Sequence, residues 1–210
     1  MNSVLDILAL PAVIIVGITS LILLIGRDWR WSIATLSIQY LGVFLLVALN
    51  WPVLLAVIKL IAGWMAGAVL SMGVTGVNQN LMEKLSKDFN GERDSPLAPL
   101  SGRFFRLSTG GMVGLVVISV ATKVTDFIPG ISIEQALGAL LLIGIGLLQL
   151  CFTYNPIFVL LGLLTVLSGF EIIYAVVETS TLVAGLLAGV TLGISIVGAY
   201  LITASLEEVE

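Results

Sequence analysis

The chain has 210 residues, of which 59% are hydrophobic and 10% charged, with a mean hydropathy of +1.16 and a formal net charge of −4. Repeated apolar runs of about twenty residues fit an all-α, polytopic membrane protein. They exclude a soluble domain, and they are apolar on every face, unlike the alternating segments of a membrane β-barrel. The sequence has no histidine, a single cysteine at Cys151 and no basic surface, so neither a metal or cofactor site nor a nucleic-acid partner is expected.

In chain order, charged residues and Pro, Asn and Trp punctuation separate seven expected transmembrane spans: 4–25, 31–49, 52–73, 105–122, 133–152, 156–177 and 181–204. They group as residues 1–73 with spans one to three, a connection over 74–104, and residues 105–210 with spans four to seven and a short acidic tail. The first span carries Asp6 and is followed by arginines, which reads as a retained span and not a cleaved signal. Short connections at Asn50-Trp51, Tyr154-Asn155 and Glu178-Thr179-Ser180 make the flanking spans antiparallel neighbours. Pro52 and Pro156 suit first helical turns. Trp29, Trp31, Trp51 and Tyr154 fall where aromatic belts form. Within the connection, Asn80-Leu-Met-Glu-Lys-Leu-Ser-Lys-Asp-Phe89 places Met82, Leu85 and Phe89 near helical spacing, which predicts a segment lying on the membrane surface.

Seven cations, Arg27, Arg30, Lys84, Lys87, Arg93, Arg103 and Arg106, share one side of this layout, and the other side has Lys123. The positive-inside rule therefore places the amino terminus outside and the carboxyl terminus, with Glu207, Glu208 and Glu210, in the cytoplasm.

Two ionisable groups lie well inside spans, Lys59 in the third and Glu171 in the sixth. A Lys at a helix centre costs about 2.5–3.5 kcal/mol to insert, so each needs a partner or water. Measured from the same membrane side, their depths are about 10.5 and 9 Å at 1.5 Å of helical rise per residue. The matched level predicts that Lys59 and Glu171 meet, directly or through water. A structural reading makes the pair a staple fixing helix register, or Lys59 a snorkelling side chain; a functional reading uses the coupled protonation of two buried groups on an ion pathway. Gln39 and Gln149 are mid-span amides suited to interhelical hydrogen bonds. Asp6, Asp126, Glu134 and Glu178 fall near the outer surface, as solvated carboxylates or as the mouth of a path. Gly63 and Gly67 in span three, and Gly185, Gly189 and Gly193 in span seven, recur every four residues, which predicts close helix packing, within this chain in the first instance.

A displacement of 127 residues lays Gly42 on Gly169, Ala48 on Ala175 and Trp29–Asn50 on Pro156–Val177. Spans one to three and five to seven then form a parallel 3+1+3 repeat in which Phe44 takes the place of Glu171.

The length, the seven spans, the basic connection, Lys59 in Ala56-Val-Ile-Lys-Leu-Ile-Ala-Gly63, and Gly162-Leu-Leu-Thr-Val-Leu-Ser-Gly-Phe-Glu171 together resemble hydrogenase-4 component E. That family contains a segment similar to the K subunit of respiratory complex I. The resemblance implies an intramembrane glutamate five residues after a glycine and followed by a small polar residue and glycine. Here Gly162 is followed at that distance by Leu167, then Ser168 and Gly169, while Glu171 stands one helical turn further on and on about the same face. The function so implied is that of a non-catalytic subunit without a cofactor, packed in membrane lipid beside antiporter-like subunits of an ion-translocating complex. A self-contained small transporter or channel, and a membrane scaffold or assembly protein, are the alternatives.

Overall fold

Residues that are apolar all round form helices in lipid because each segment then bonds its own backbone internally. A computed structural model describes residues 2–26, 28–75 and 98–207. Among them are seven helices: α1 (Asn2–Ile25), α2 (Trp29–Val47), α3 (Val53–Thr75), α4 (Ala98–Phe127), α5 (Ile133–Phe152), α6 (Pro156–Val177) and α7 (Thr181–Glu207). All seven are long and apolar enough to cross a membrane, so the protein is an all-α, multi-pass membrane protein.

The local sequence explains several boundaries. Ser132 caps α5 by accepting from Gln135 N while the Gln135 side chain accepts from Ser132 N, a reciprocal capping box. Asn155 accepts from Ile157 N at 3.1 Å, and Pro156 stands at the first position of α6, where no amide hydrogen is required. Pro52 sits one position before α3, its carbonyl accepting from Ala56 N at 3.2 Å. Gly130, with φ of +92°, turns the chain between α4 and α5 in a conformation that L side chains rarely adopt.

The largest boundary difference is at α4, expected over 105–122. Its helix begins at Ala98 and ends at Phe127, because backbone hydrogen bonding continues through Arg103, Arg106 and Lys123 beyond the apolar stretch. Residues 98–104 are thus part of a spanning helix and not of the connection. The expected surface segment 80–89 lies outside the described residues.

The helices form two rows, α1–α2–α3 and α5–α6–α7, stacked so that α1 packs on α5, α2 on α6 and α3 on α7, with α4 against α5 and α1. Each helix therefore meets its counterpart in the 127-residue displacement. That displacement also carries Ile25, the end of α1, onto Phe152, the end of α5, and Trp29, the start of α2, onto Pro156, the start of α6.

The two ends of the bundle differ chemically. One bears Arg30, Arg103 and Arg106; the other bears Lys123, Asp126, Glu134 and Glu178. At the arginine-bearing end the Arg106 guanidinium donates to Leu24 O at 3.2 Å and to Phe152 O at 3.1 Å, joining the carboxyl-terminal turns of α1 and α5 to α4. The cation satisfies carbonyls that a helix end leaves open and faces the negative ends of both dipoles. Arg106→Met is expected to lower stability by about 1.5–3 kcal/mol, the range for hydrogen bonds to a charged group. Arg106→Lys should recover only part, having no planar fork to span both carbonyls. Equilibrium unfolding in mixed micelles checks this, and a loss below about 0.5 kcal/mol for the Met variant, the size of an ordinary surface change, contradicts it.

At the acidic end Trp51 is buried, not turned to lipid as in an aromatic belt. Its indole Nε1 donates to Glu178 O at 2.9 Å, tying the α2–α3 turn to the end of α6. Trp31 and Tyr154 are exposed, as belt residues are.

Candidate functional site

The packing of α3 against both α7 and α2 decides where its polar group goes. Gly63 leaves no bulk on α3, so the Tyr40 ring of α2 rests on the helix backbone, and a methyl group at Gly63 would overlap that ring. Lys59, one turn earlier on α3, is directed into the bundle. Its Nζ donates to Glu171 Oε1 of α6 and to Thr191 Oγ1 of α7, the latter at 2.8 Å. The side chains are 5% and 3% exposed, which rules out a snorkelling Lys59.

The pair is incompletely satisfied. Glu171 Oε2 has no hydrogen-bond partner. The Thr191 hydroxyl has one hydrogen; it donates to Leu187 O at 3.0 Å and also faces Glu171, so it has two competing acceptors. The buried Tyr40 hydroxyl likewise has no hydrogen-bond partner. Neither side-chain atom of Gln39, 1% exposed, is bonded. Gln149 donates from Nε2 to Phe158 O at 3.0 Å, but its Oε1 is unpartnered. Each orphaned buried polar group costs about 1–3 kcal/mol, and sites that keep several of them ordinarily hold water or a polar ligand.

Other residues singled out from the sequence are distributed differently. Of the two amides, Gln149 makes the expected interhelical bond and Gln39 does not. Glu134 is half-buried in the first turn of α5, where a carboxylate suits the helix dipole, and takes no part in the pair. Gly67 makes ordinary contact with Ser37 and Ile33 of α2. The stripe Gly185, Gly189 and Gly193 does not pack against the described residues: a Cβ at any of the three would meet none of their heavy atoms within 4 Å. The face of α7 that meets α3 is instead built on Thr191, Ala188 and Ala184. Thr191 is about 200° around the helix from Gly189 at about 100° per residue, so the two faces are opposite.

Thr191 and Tyr40 are not singled out by the sequence, nor are the joining roles of Arg106 and Gln135, and Ser168 stands out only as part of the component E-like segment. Thr191 and Ser195, four apart on an otherwise apolar helix, carried a signal of a second, polar face. Gln135 gave none beyond its capping position, although its Nε2 also donates to Leu46 O at 2.8 Å and holds α5 to α2.

The fold and site define an integral membrane protein with a buried, partly unsatisfied ion pair shared among three helices. No family model, curated protein or solved structure matches the chain.

Proposed function

We propose that the protein is a non-catalytic membrane subunit of a prokaryotic energy-converting, ion-translocating complex of the group 4 hydrogenase or complex I type, with Lys59 and Glu171 as a protonatable pair on the ion path. The observation that carries this reading is that Lys59 bonds Glu171 and Thr191 while Glu171 Oε2 and the buried Tyr40 hydroxyl are both left without a hydrogen-bond partner. A pair serving only as a staple gains from complete satisfaction, since an unpaired atom at that depth is a loss with no return. A pair that exchanges protons needs an atom open to a donor or acceptor.

A subunit role is further supported by surface left over: most of α4 and the glycine face of α7 are exposed in this chain. Smooth, apolar helix faces of this kind suit antiporter-like membrane neighbours. The arginine-bearing end, by the positive-inside rule, faces the cytoplasm. A self-contained transporter would move ions as the purified chain in liposomes; a scaffold would show no ion flux and lose soluble partners on deletion of residues 80–100.

Glu171→Gln in the assembled complex is expected to abolish or sharply reduce ion pumping while leaving assembly intact, because the amide keeps the shape and removes the exchangeable charge. Pumping at the wild-type rate overturns the proposed role.

A further inference from the structure

Among the described residues, the buried polar side-chain atoms without a hydrogen-bond partner lie at the pair and on one side of its level only; Gln135, buried near the acidic end, has both its side-chain oxygen and its nitrogen bonded. Toward the acidic end, Ala56, Ile172, Ala175 and Ala184 are buried in one apolar cluster with Val47 and Trp51, and the indole bond to Glu178 O closes that cluster at the membrane surface. From α6 residue 172 to its end, and from α3 residue 53 to 58, no buried polar side chain occurs.

Toward the arginine-bearing end apolar side chains, among them Leu36, Leu161 and Leu164, are also buried in one cluster with Tyr40, but polar groups stand among them. On α6, Ser168 and Thr165 follow Glu171 inward at three-residue intervals, about 4.5 Å apart along the axis, and both are buried. Opposite them on α2 stand Tyr40 and Gln39, whose polar atoms have no partners. Gln39 is about 15 Å from the start of α2 and Thr165 about 13.5 Å from the start of α6 by the helical rise, so they are level. Nearer still to that end, Gln149 keeps its Oε1 unbonded while its amide reaches α6. The unpartnered atoms therefore descend from Glu171 in one direction.

We propose that Glu171 exchanges protons with the arginine-bearing face of the membrane only, through water held by Tyr40, Ser168, Gln39 and Thr165, and that the Trp51 cluster seals the opposite side. In each exchange the carboxyl O–H bond breaks as the proton passes to a water oxygen, and it re-forms when the proton returns; Lys59 remains the counter-charge. Water is the fitting occupant because the Tyr40 hydroxyl and the Gln39 amide offer free donors while Ser168 and Thr165, whose own hydrogens go to Leu164 O and Leu161 O, offer oxygen acceptors; a bare cation would stand beside the Lys59 ammonium. The proposal rests on reading the pair as a proton-exchanging site.

The test uses the full chain with Cys151→Ser, reconstituted in vesicles, and single cysteines probed with Ag+, whose reaction is read as protection from a maleimide dye added after denaturation. Arg103→Cys and Asp126→Cys report which end is exposed to the added ion. Added from the arginine-bearing side, Ag+ is expected to protect Ser168→Cys and Gln39→Cys at least about tenfold faster than from the acidic side, and Ala175→Cys should resist from both. Equal protection of Ser168→Cys from the two sides, no protection of either inward cysteine, or protection of Ala175→Cys from the acidic side overturns it. A melting temperature for each variant close to that of the Cys151→Ser parent shows that the folded chain was probed. Because labelling needs no ion pumping, its outcome is separate from that of Glu171→Gln in the complex.

Discussion

Lys59→Met alone is expected to destabilise the protein by about 3–5 kcal/mol, the cost of leaving a buried partner charge uncompensated. Glu171 would lose the ammonium that donates to Oε1, and among the described residues no other cation pairs with it; Thr191 is the remaining polar neighbour. Glu171→Leu should cost a similar amount by stranding the ammonium, to which only Thr191 would remain bonded. Combining Lys59→Met with Glu171→Leu removes both charges at once and is expected to recover most of the loss, since apolar replacements of a buried ion pair are often neutral or stabilising. The experiment is a double-mutant cycle by equilibrium unfolding in mixed micelles, with a coupling well above the about 0.5 kcal/mol scatter of independent sites. Additive losses would mean that the charges do not depend on one another. A well-folded double variant has a second use. If it assembles and still pumps ions, the pair only holds α3, α6 and α7 together.

The second large effect concerns glycines that look alike in sequence. At Gly169 an added Cβ would come within 2.6 Å of Ala139 O, 2.8 Å of Ile143 and 2.9 Å of Leu142. The nearest atom is backbone, which cannot swing aside as the end of a side chain can. Gly169→Val is therefore expected to force α5 and α6 apart and to cost at least about 1–3 kcal/mol, the range for overpacking a core. Gly189→Ala, with no heavy atom within 4 Å of the new methyl, should be neutral or stabilising by up to about 1 kcal/mol, since it removes only the conformational cost of a helical glycine. Unfolding midpoints of the isolated chain decide the contrast, and equal losses at the two positions would contradict it.

Those two glycines also show where sequence reading stops. Gly185, Gly189 and Gly193 have the more regular spacing, and regularity on one helix says that its face is smooth without saying what lies against it. Gly169 was visible as the equivalent of Gly42 under the 127-residue displacement and as the glycine after Ser168 in the component E-like segment, neither of which spoke of packing, yet both are close contacts: a Cβ at Gly42 would stand 3.3 Å from Ala12 O. The charge pair was more legible. Helical rise fixes depth along the membrane normal, and depth alone brought Lys59 and Glu171 to one level. It gave no rotation about the helix axes, so Thr191, Tyr40 and Ser168, which complete the site from α7, α2 and α6, had no place in that inference.

Sequence by itself determined that this chain spans the membrane seven times, that all its basic residues but Lys59 and Lys123 gather at one end, and that one lysine and one glutamate share a level. These follow from hydrophobic length and from a fixed rise per residue, both properties of single helices in lipid. Only the tertiary structure decided the stacking of two three-helix rows, the turning of Lys59 toward Glu171 and Thr191, the burial of Trp51 and the outward aspect of the α7 glycines. Those depend on how each helix is rotated against its neighbours, which is set by side-chain shapes meeting across interfaces. In a chain apolar on nearly every face, the hydrophobic pattern that would announce such rotations in a soluble protein carries little information.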